Sequence, residues 1–304
     1  MKKIASLSLI AIAALAGENI SVVPFAGYLD YGSKSVKDNG YFGGVYVSKE
    51  FDLQKVELQY EYLKVKYKND EPDLEQNDFT AVYTNYFDDN YLARAGLHFI
   101  DSDDYLTDGG YILFGGLKYF QAFDFDAGID VFYTHYDNFD PSLGVWQFSP
   151  SFGKYIKGCS YGDFYVEGKY NYITFKSSKI TQTVVNQSSG MSAMGKKSTH
   201  IIQRSEEYTD SYNSFEFNLA NYYGKFTTKA SVWIGKQAFG VRDGGFTVYN
   251  LAEIHKGGAA LQTRYSYSKE LGLSAGIYYE KFTDTENGED SYMTTLGASL
   301  DYRF

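Results

Sequence analysis

The four histidines, His98, His135, His200 and His255, are the first places where this chain could do chemistry. A hydrolase would need one of them to take a proton from a nucleophile, with a third group fixing the ring. His98 precedes Asp101, Asp103 and Asp104, and His135 precedes Asp137 and Asp140. Each is a lone histidine beside acids that read as loop residues, and no nucleophile motif surrounds either. A rim hydrolase is therefore the weakest reading, and the chain is expected not to be an enzyme. The acid-rich runs 69–73, 101–104 and 284–290 offer carboxylate oxygens that suit Ca²⁺. None has the D-x-D-x-D-G spacing, so they read as solvated loops. There is no Cys/His cluster for zinc, no phosphate-binding glycine loop and no dinucleotide fingerprint after a strand, so no metal and no cofactor are expected. One cysteine, Cys159, excludes an internal disulfide framework. A net charge of -10 with no basic stripe argues against nucleic acid as a partner.

The second kind of chemistry is charge at alternate positions. Arg94 and His98 share one face of one segment, Lys118 lies on the next, and Asp124, Asp126 and Asp130 lie on the one after. If the apolar face of each segment meets lipid, these groups face a water column as a basic wall beside an acidic one. Two outcomes are open: a transverse field that orders polar solutes, or a ladder of wall salt bridges. Glu57, Glu61, Glu167, Lys169, Glu216, Lys229, Arg264, Glu280, Asp301 and Arg303 point the same way. The lining is mixed and hydrated, which suits a channel better than a hydrophobic tunnel.

Such charges need strands to hold them. From Ile20 the chain alternates apolar and polar residues between turn signals, over about 21–31, 41–51, 55–68, 78–87, 91–100, 111–120, 123–136, 145–156, 164–175, 212–222, 226–234, 259–267, 271–282 and 292–304. Connectors alternate short and long, as periplasmic turns and outer loops do. Termini on the same side demand an even count, which gives fourteen strands, with sixteen or twelve as alternatives. In 55–68 the apolar phase slips after Tyr62, from Val56, Leu58, Tyr60 and Tyr62 to Leu63, Val65 and Tyr67, so a β-bulge is expected near Tyr62-Leu63. Pro150 lacks a ladder donor and calls for an edge or bulge. Within the long stretch 176–207, Ile180 to Val185 and Thr199 to Ile202 could pair as a hairpin. The stretch 235–258 is too apolar for a plain loop. It either lengthens the wall or folds into the mouth and narrows it, and then Lys236, Arg242, Glu253 and His255 are the constriction candidates.

The last segment fixes the class. Tyr292, Thr294, Leu296, Ala298, Leu300, Tyr302 and Phe304 form an apolar face, opposite Met293, Thr295, Gly297, Ser299, Asp301 and Arg303. It resembles the C-terminal strand of Gram-negative outer-membrane β-barrels, which ends in alternating apolar residues and a terminal Phe. That resemblance implies that Tyr292, Leu296, Leu300, Tyr302 and Phe304 are the signal read by the barrel-assembly machinery. At the other end a basic Lys2-Lys3, an apolar 4–15 and the small-x-small Ala14-Leu15-Ala16 read as a removable signal peptide over 1–16. Residues 17–304 are then one domain.

Tyr 31, Phe 23 and Trp 2 make the chain 18% aromatic, hard to bury in one core and easy to place in two interfacial girdles. The mean hydropathy of -0.36 fits a barrel, because half of each strand faces water. The expected fold is an all-β, antiparallel up-and-down transmembrane barrel in a Gram-negative outer membrane, in contact with lipid and lipopolysaccharide. The expected function is a porin-like channel for passive diffusion of small hydrophilic solutes or ions. The alternative is a structural or adhesive surface barrel acting through its outer loops.

Overall fold

A computed structural model describes residues 19–69, 71–88, 90–139, 141–175, 180–187, 199–206, 209–249 and 253–304, with 180–187, 199–206 and Cys159 described by backbone alone. The signal-peptide expectation for 1–16 lies outside the described residues, as do 188–198 of the long outer stretch.

The strands are β1 (Ile20–Tyr31), β2 (Lys37–Phe51), β3 (Gln54–Tyr67), β4 (Leu74–Tyr86), β5 (Tyr91–Ser102), β6 (Tyr111–Gln121), β7 (Phe125–Tyr136), β8 (Leu143–Cys159), β9 (Gly162–Phe175), β10 (Ile180–Gln187), β11 (Thr199–Glu206), β12 (Ser211–Tyr223), β13 (Phe226–Gln237), β14 (Val241–Arg242), β15 (Thr247–Val248), β16 (Glu253–Ser266), β17 (Leu271–Asp284) and β18 (Asp290–Arg303). Fourteen of them close into an antiparallel up-and-down barrel, while β10 with β11 and β14 with β15 form separate two-stranded pieces. The seam pairs β1 with β18, and backbone bonds from Asn19 N to Phe304 O and from Phe304 N to Ile20 O seal its end. The β10/β11 hairpin pairs Ile180 with Glu206 through Gln187 with Thr199 and sits between β9 and β12.

Alternation decides which residues face out. On β18, Tyr292, Leu296, Leu300, Tyr302 and Phe304 are exposed on the outer surface, joined there by Leu273, Ile277 and Tyr279 of β17 and by Phe215, Phe217 and Leu219 of β12. Across most strands this exposed surface is aliphatic and aromatic, as a lipid-facing band requires.

Near the long-loop end the pattern inverts. One inward residue from each barrel strand, Tyr31, Lys37, Val65, Leu74, Ile100, Ile112, Tyr136, Val145, Ile173, Tyr212, Gln237, His255, Phe282 and Ser291, is buried. Two apolar clusters fill that end. The larger holds Ile100, Ile112, Phe132, Tyr136, Val145, Ile173, Phe175 and Phe239, and the smaller holds Leu29, Tyr31, Val65, Leu74 and Phe282. The barrel interior is thus dry toward its long loops and wet toward its short turns.

That inversion corrects two local expectations. There is no bulge at Tyr62-Leu63: Tyr62 pairs with Gly43 and Asn77, Leu63 with Phe42 and Gln76, and the register runs unbroken. The phase slip is real but absorbed by packing, since Leu63, Val65 and Tyr67 turn inward to the smaller cluster. Lys64 instead points outward to Glu75 Oε1 and Asp73 Oδ2, at 2.8 and 3.3 Å. Pro150 likewise sits at neither an edge nor a bulge. β8 stays in register with β9 from Phe148↔Tyr172 to Ser151↔Lys169, and only the pairings of Ser149 and Pro150 drop out of that ladder. One missing donor costs a bond, not the strand. Strands β2, β4 and β16 also start four to six residues earlier than apolar-out alternation indicates, because their first turns lie in the inverted zone.

Candidate functional site: the lumen and the segment folded into it

The wet part of the interior is a cavity of about 1010 Å³. It reaches from Lys55, Tyr86, Tyr155 and Tyr222, close to the short turns, up to Arg242, Asp243, Gly244, Thr247 and Tyr249. These last belong to the connection between β13 and β16, which turns into the lumen and roofs the cavity.

The roof crosses the barrel. On one side Val241 is held by two backbone bonds to the Gln147 side chain of β8, N to Oε1 at 2.8 Å and O from Nε2 at 2.8 Å. On the other, Phe246 stacks edge-on against Tyr46 of β2 at 5.7 Å and its carbonyl accepts from Gln59 Nε2 of β3 at 3.5 Å. Phe239 packs among Tyr136, Phe139 and Phe175, with ring centroids 5.8 to 5.9 Å away. A 3₁₀ turn at Asp243–Gly245 reverses the chain, with φ of 48° at Asp243, 70° at Gly244 and 105° at Gly245. Glycine is needed at Gly244, where a Cβ would also strike the Arg94 guanidinium. At the roots the ladder slips, between Ile234 and Gln237 on β13 and between His255 and Gly257 on β16. Gly235 and Gly257 take φ of 109° and 145° there, and a Cβ at either would overlap the neighbouring backbone. Paired bulges with glycine at both roots turn the segment inward without breaking the wall.

Charge fixes the roof as well. Arg242 sends Nη2 to Glu216 Oε2 at 3.2 Å, Nη1 to Glu280 Oε1 at 3.3 Å and Nη1 to Tyr249 Oη at 2.8 Å, and it lies 4.0 Å over the Trp233 ring. His255 stacks on Tyr249 at 3.9 Å between Glu253 (3.2 Å) and Glu280 (3.5 Å), and Glu253 takes Lys37 Nζ at 2.6 Å. Removing either partner of such a buried pair strands the other charge. Of the four constriction candidates, Arg242, Glu253 and His255 meet in this network. Lys236 does not: it is exposed at the end of β13 and outside the cavity lining.

Among the lining candidates, the expected basic and acidic walls resolve into pairs. Arg94 binds Asp130 twice, Nε to Oδ1 at 2.9 Å and Nη2 to Oδ2 at 2.8 Å, reaching over β6 at Gly116. A Cβ on Gly116 would overlap the Asp130 carboxylate. Lys118 takes Asp126 Oδ1 at 2.7 Å and lies 4.0 Å from Glu167. Glu167 also accepts from Asn218 Nδ2 at 3.1 Å. Lys169 and Lys229 line the cavity, and among the described residues neither makes an ion pair. Glu280 lines it beneath Arg242.

The other candidates sit elsewhere. His98 faces inward but is sealed in the dry zone, Nδ1 against Thr80 Oγ1 at 2.8 Å and Nε2 3.4 Å from Asp78. Asp124 belongs to the turn before β7 and pairs with Lys154 at the short-turn rim. Asp301 gathers Arg264, Arg303 and Ser21 near the same rim, and these lie outside the cavity lining. Sequence reasoning missed Lys37, Gln147, Trp233 and Tyr249. Lys37 and Tyr249 lay in stretches without apolar-out alternation, and Gln147 carries no charge to mark it.

No protein-family model matches the chain, and no curated protein sequence does. Solved structures do. The monoaromatic hydrocarbon channel CymD matches with a TM-score of 0.58 at 9% identity, over 95% of this chain and 89% of that one. A Pseudomonas aeruginosa FadL homologue gives 0.53 at 11% identity, over 94% and 90%. A bacterial polysaccharide outer-membrane secretin gives 0.51 at 11%, over 95% and 100%. At these identities the likeness is one of architecture: the closed antiparallel strand ring, with its short-turn and long-loop ends, has the fold of these outer-membrane β-barrels.

Proposed function

We propose that the protein is a channel of a Gram-negative outer membrane that passes small hydrophilic solutes or ions by diffusion, with the β13–β16 connection as its constriction. The observation that carries this is the cavity of about 1010 Å³ whose lining includes Arg94, Lys118, Lys169, Lys229, Glu57, Glu61 and Glu167. Charged walls hold water and favour hydrated solutes over the hydrocarbon named for CymD. The chain acts by conduction and not by catalysis in this reading. Export through residues 1–16, insertion by the assembly machinery reading Tyr292, Leu296, Leu300, Tyr302 and Phe304, and contact with lipid and lipopolysaccharide belong to the same proposal.

The dry zone under the long loops favours a second reading, a closed surface barrel that works through its outer loops. Planar-bilayer recording separates the two. The channel reading expects low or intermittent conductance from the full chain and a large increase when 240–250 are deleted. An unchanged conductance after deletion excludes the constriction, and silence from both proteins leaves the surface barrel.

A further inference from the structure

The lumen carries more acid than base, and its unbalanced charges are segregated. The cavity is lined by six Lys or Arg side chains and nine Asp or Glu, an excess of three acidic side chains. Adding the two charges directly behind the lining, Lys37 on Glu253 and Asp78 beside His98, leaves the excess unchanged. Most cations are spent on partners: Lys55 on Glu57 at 2.9 Å, Arg94 on Asp130, Lys118 on Asp126, and Arg242 on both Glu216 and Glu280. What remains on the acidic side is concentrated. Glu61 of β3 pairs in register with Asp78 of β4, two carboxyls that share a proton and act as about one charge, and Asp243 hangs from the roof. Among the described residues none of these three has a Lys or Arg within ion-pair distance. Of the remaining cations, Lys229 sits on β13, and Lys169 on β9 faces Glu216 of β12 in the ladder beyond ion-pair distance. In the ring of fourteen strands, β9 and β13 flank β12, which stands seven places from β3. The transverse field that the sequence points to near β5–β7 is cancelled there and reappears between β3/β4 and β9/β13.

We infer that the channel selects cations, and that Asp243 under the roof, beside the Glu61–Asp78 carboxyl pair, sets the preference. This rests on the channel reading above. Charges count most where the water column is narrowest and walled by low-dielectric protein, because field lines cannot spread there. Asp243 is on the roof that bounds the cavity, and Glu61 lines the cavity with it. Small inorganic cations and solutes bearing an ammonium group are drawn along the β3/β4 wall, and anions are held to the opposite wall by Lys169 and Lys229. A mean potential of about one kT in the lumen raises cations and depletes anions each by the factor e, so their ratio favours cations by about sevenfold.

The test is the reversal potential in asymmetric KCl, measured on the full chain and on the 240–250 deletion. The deletion removes one Arg and one Asp from the lining, so its net charge is unaltered. The inference expects K⁺ preferred over Cl⁻ by several-fold in both, since the deletion loses Asp243 together with Arg242 and thereby frees Glu216 and Glu280. Asp243→Asn keeps the side-chain shape and should lower the ratio, whereas Lys169→Gln with Lys229→Gln should raise it. If the deletion does not fold, the full chain and these substitutions carry the test alone. Conductance without preference, an anion preference, or a ratio indifferent to Asp243→Asn overturns the inference and leaves the channel standing. No conductance in any folded protein overturns the channel, and the inference falls with it.

Discussion

Phe239 offers a direct test of whether the roof is a separable gate. It is buried in the larger apolar cluster, and three rings surround it within 5.9 Å. Replacing a buried Phe by Ala costs about 3–5 kcal/mol. The question is which equilibrium bears that cost. Phe239 belongs to the β13–β16 connection and takes no part in any pairing of the fourteen-strand ladder. Phe239→Ala should therefore weaken docking of the roof while the barrel stays closed. At about 1.4 kcal/mol per tenfold, the docked-to-undocked ratio falls by about two to three and a half decades. The assay is paired: heat-modifiable mobility in detergent gels reports the barrel, and single-channel recording reports the roof. Unchanged mobility with a strongly raised open probability is expected. A folded Phe239→Ala protein whose open probability matches the parent refutes the idea that this packing holds the roof down. A barrel that loses its heat-modifiable band shows instead that the roof is part of the wall's own stability.

Three further outcomes follow from the same geometry. In a Cys159→Ser background, a cysteine at Lys66 should react quickly with a membrane-impermeant maleimide and one at Val65 should stay protected, since Val65 is buried and Lys66 exposed. The reverse order would restore the bulge at Tyr62-Leu63. Pro150→Ala should raise the unfolding free energy by about 0.5–1.5 kcal/mol for one recovered ladder bond to β9, read as a higher midpoint of unfolding, and equal midpoints would mean that no donor was missed. Gly116→Val should break the Arg94–Asp130 pair by overlap with the carboxylate. The expected signature is altered conductance from a barrel of normal gel mobility, and a variant identical to the parent would show that the pair does not shape the water column.

How much was legible depended on which zone of the barrel a residue occupied. Tyr292, Leu296, Leu300 and Tyr302 alternate with small or polar neighbours because lipid on one side and water on the other impose a period of two. That pattern, with the short and long connectors, pointed to closure and favoured fourteen strands over sixteen or twelve. The same rule misread Leu63, Val65 and Tyr67, because beyond the lipid band the outside is wet and the inside is packed. One-dimensional alternation shows that two faces differ but not which of them is the interior. Lys64 and Val65 changed sides without any change of register.

The site shows the same division between what a sequence states and what folding decides. The inward set on Arg94, Lys118, Asp126 and Asp130 was readable from spacing alone, since residues two apart on a strand share a face. That Arg94 spends its charge on Asp130 over Gly116, while Lys169 and Lys229 keep theirs, depended on which strands stand near and which stand opposite. The stretch 235–258 could be marked as unusual by its apolar content, but its direction was set by two glycine bulges and by Gln147, about 94 residues distant in sequence. The amino-acid sequence by itself determined a strand ring with a two-sided wall and favoured fourteen strands over sixteen or twelve, because a period of two and a pattern of turns are local properties. Tertiary structure alone decided that the ring is roofed and where its lumen is acidic, because both depend on residues far apart in the chain meeting across the barrel.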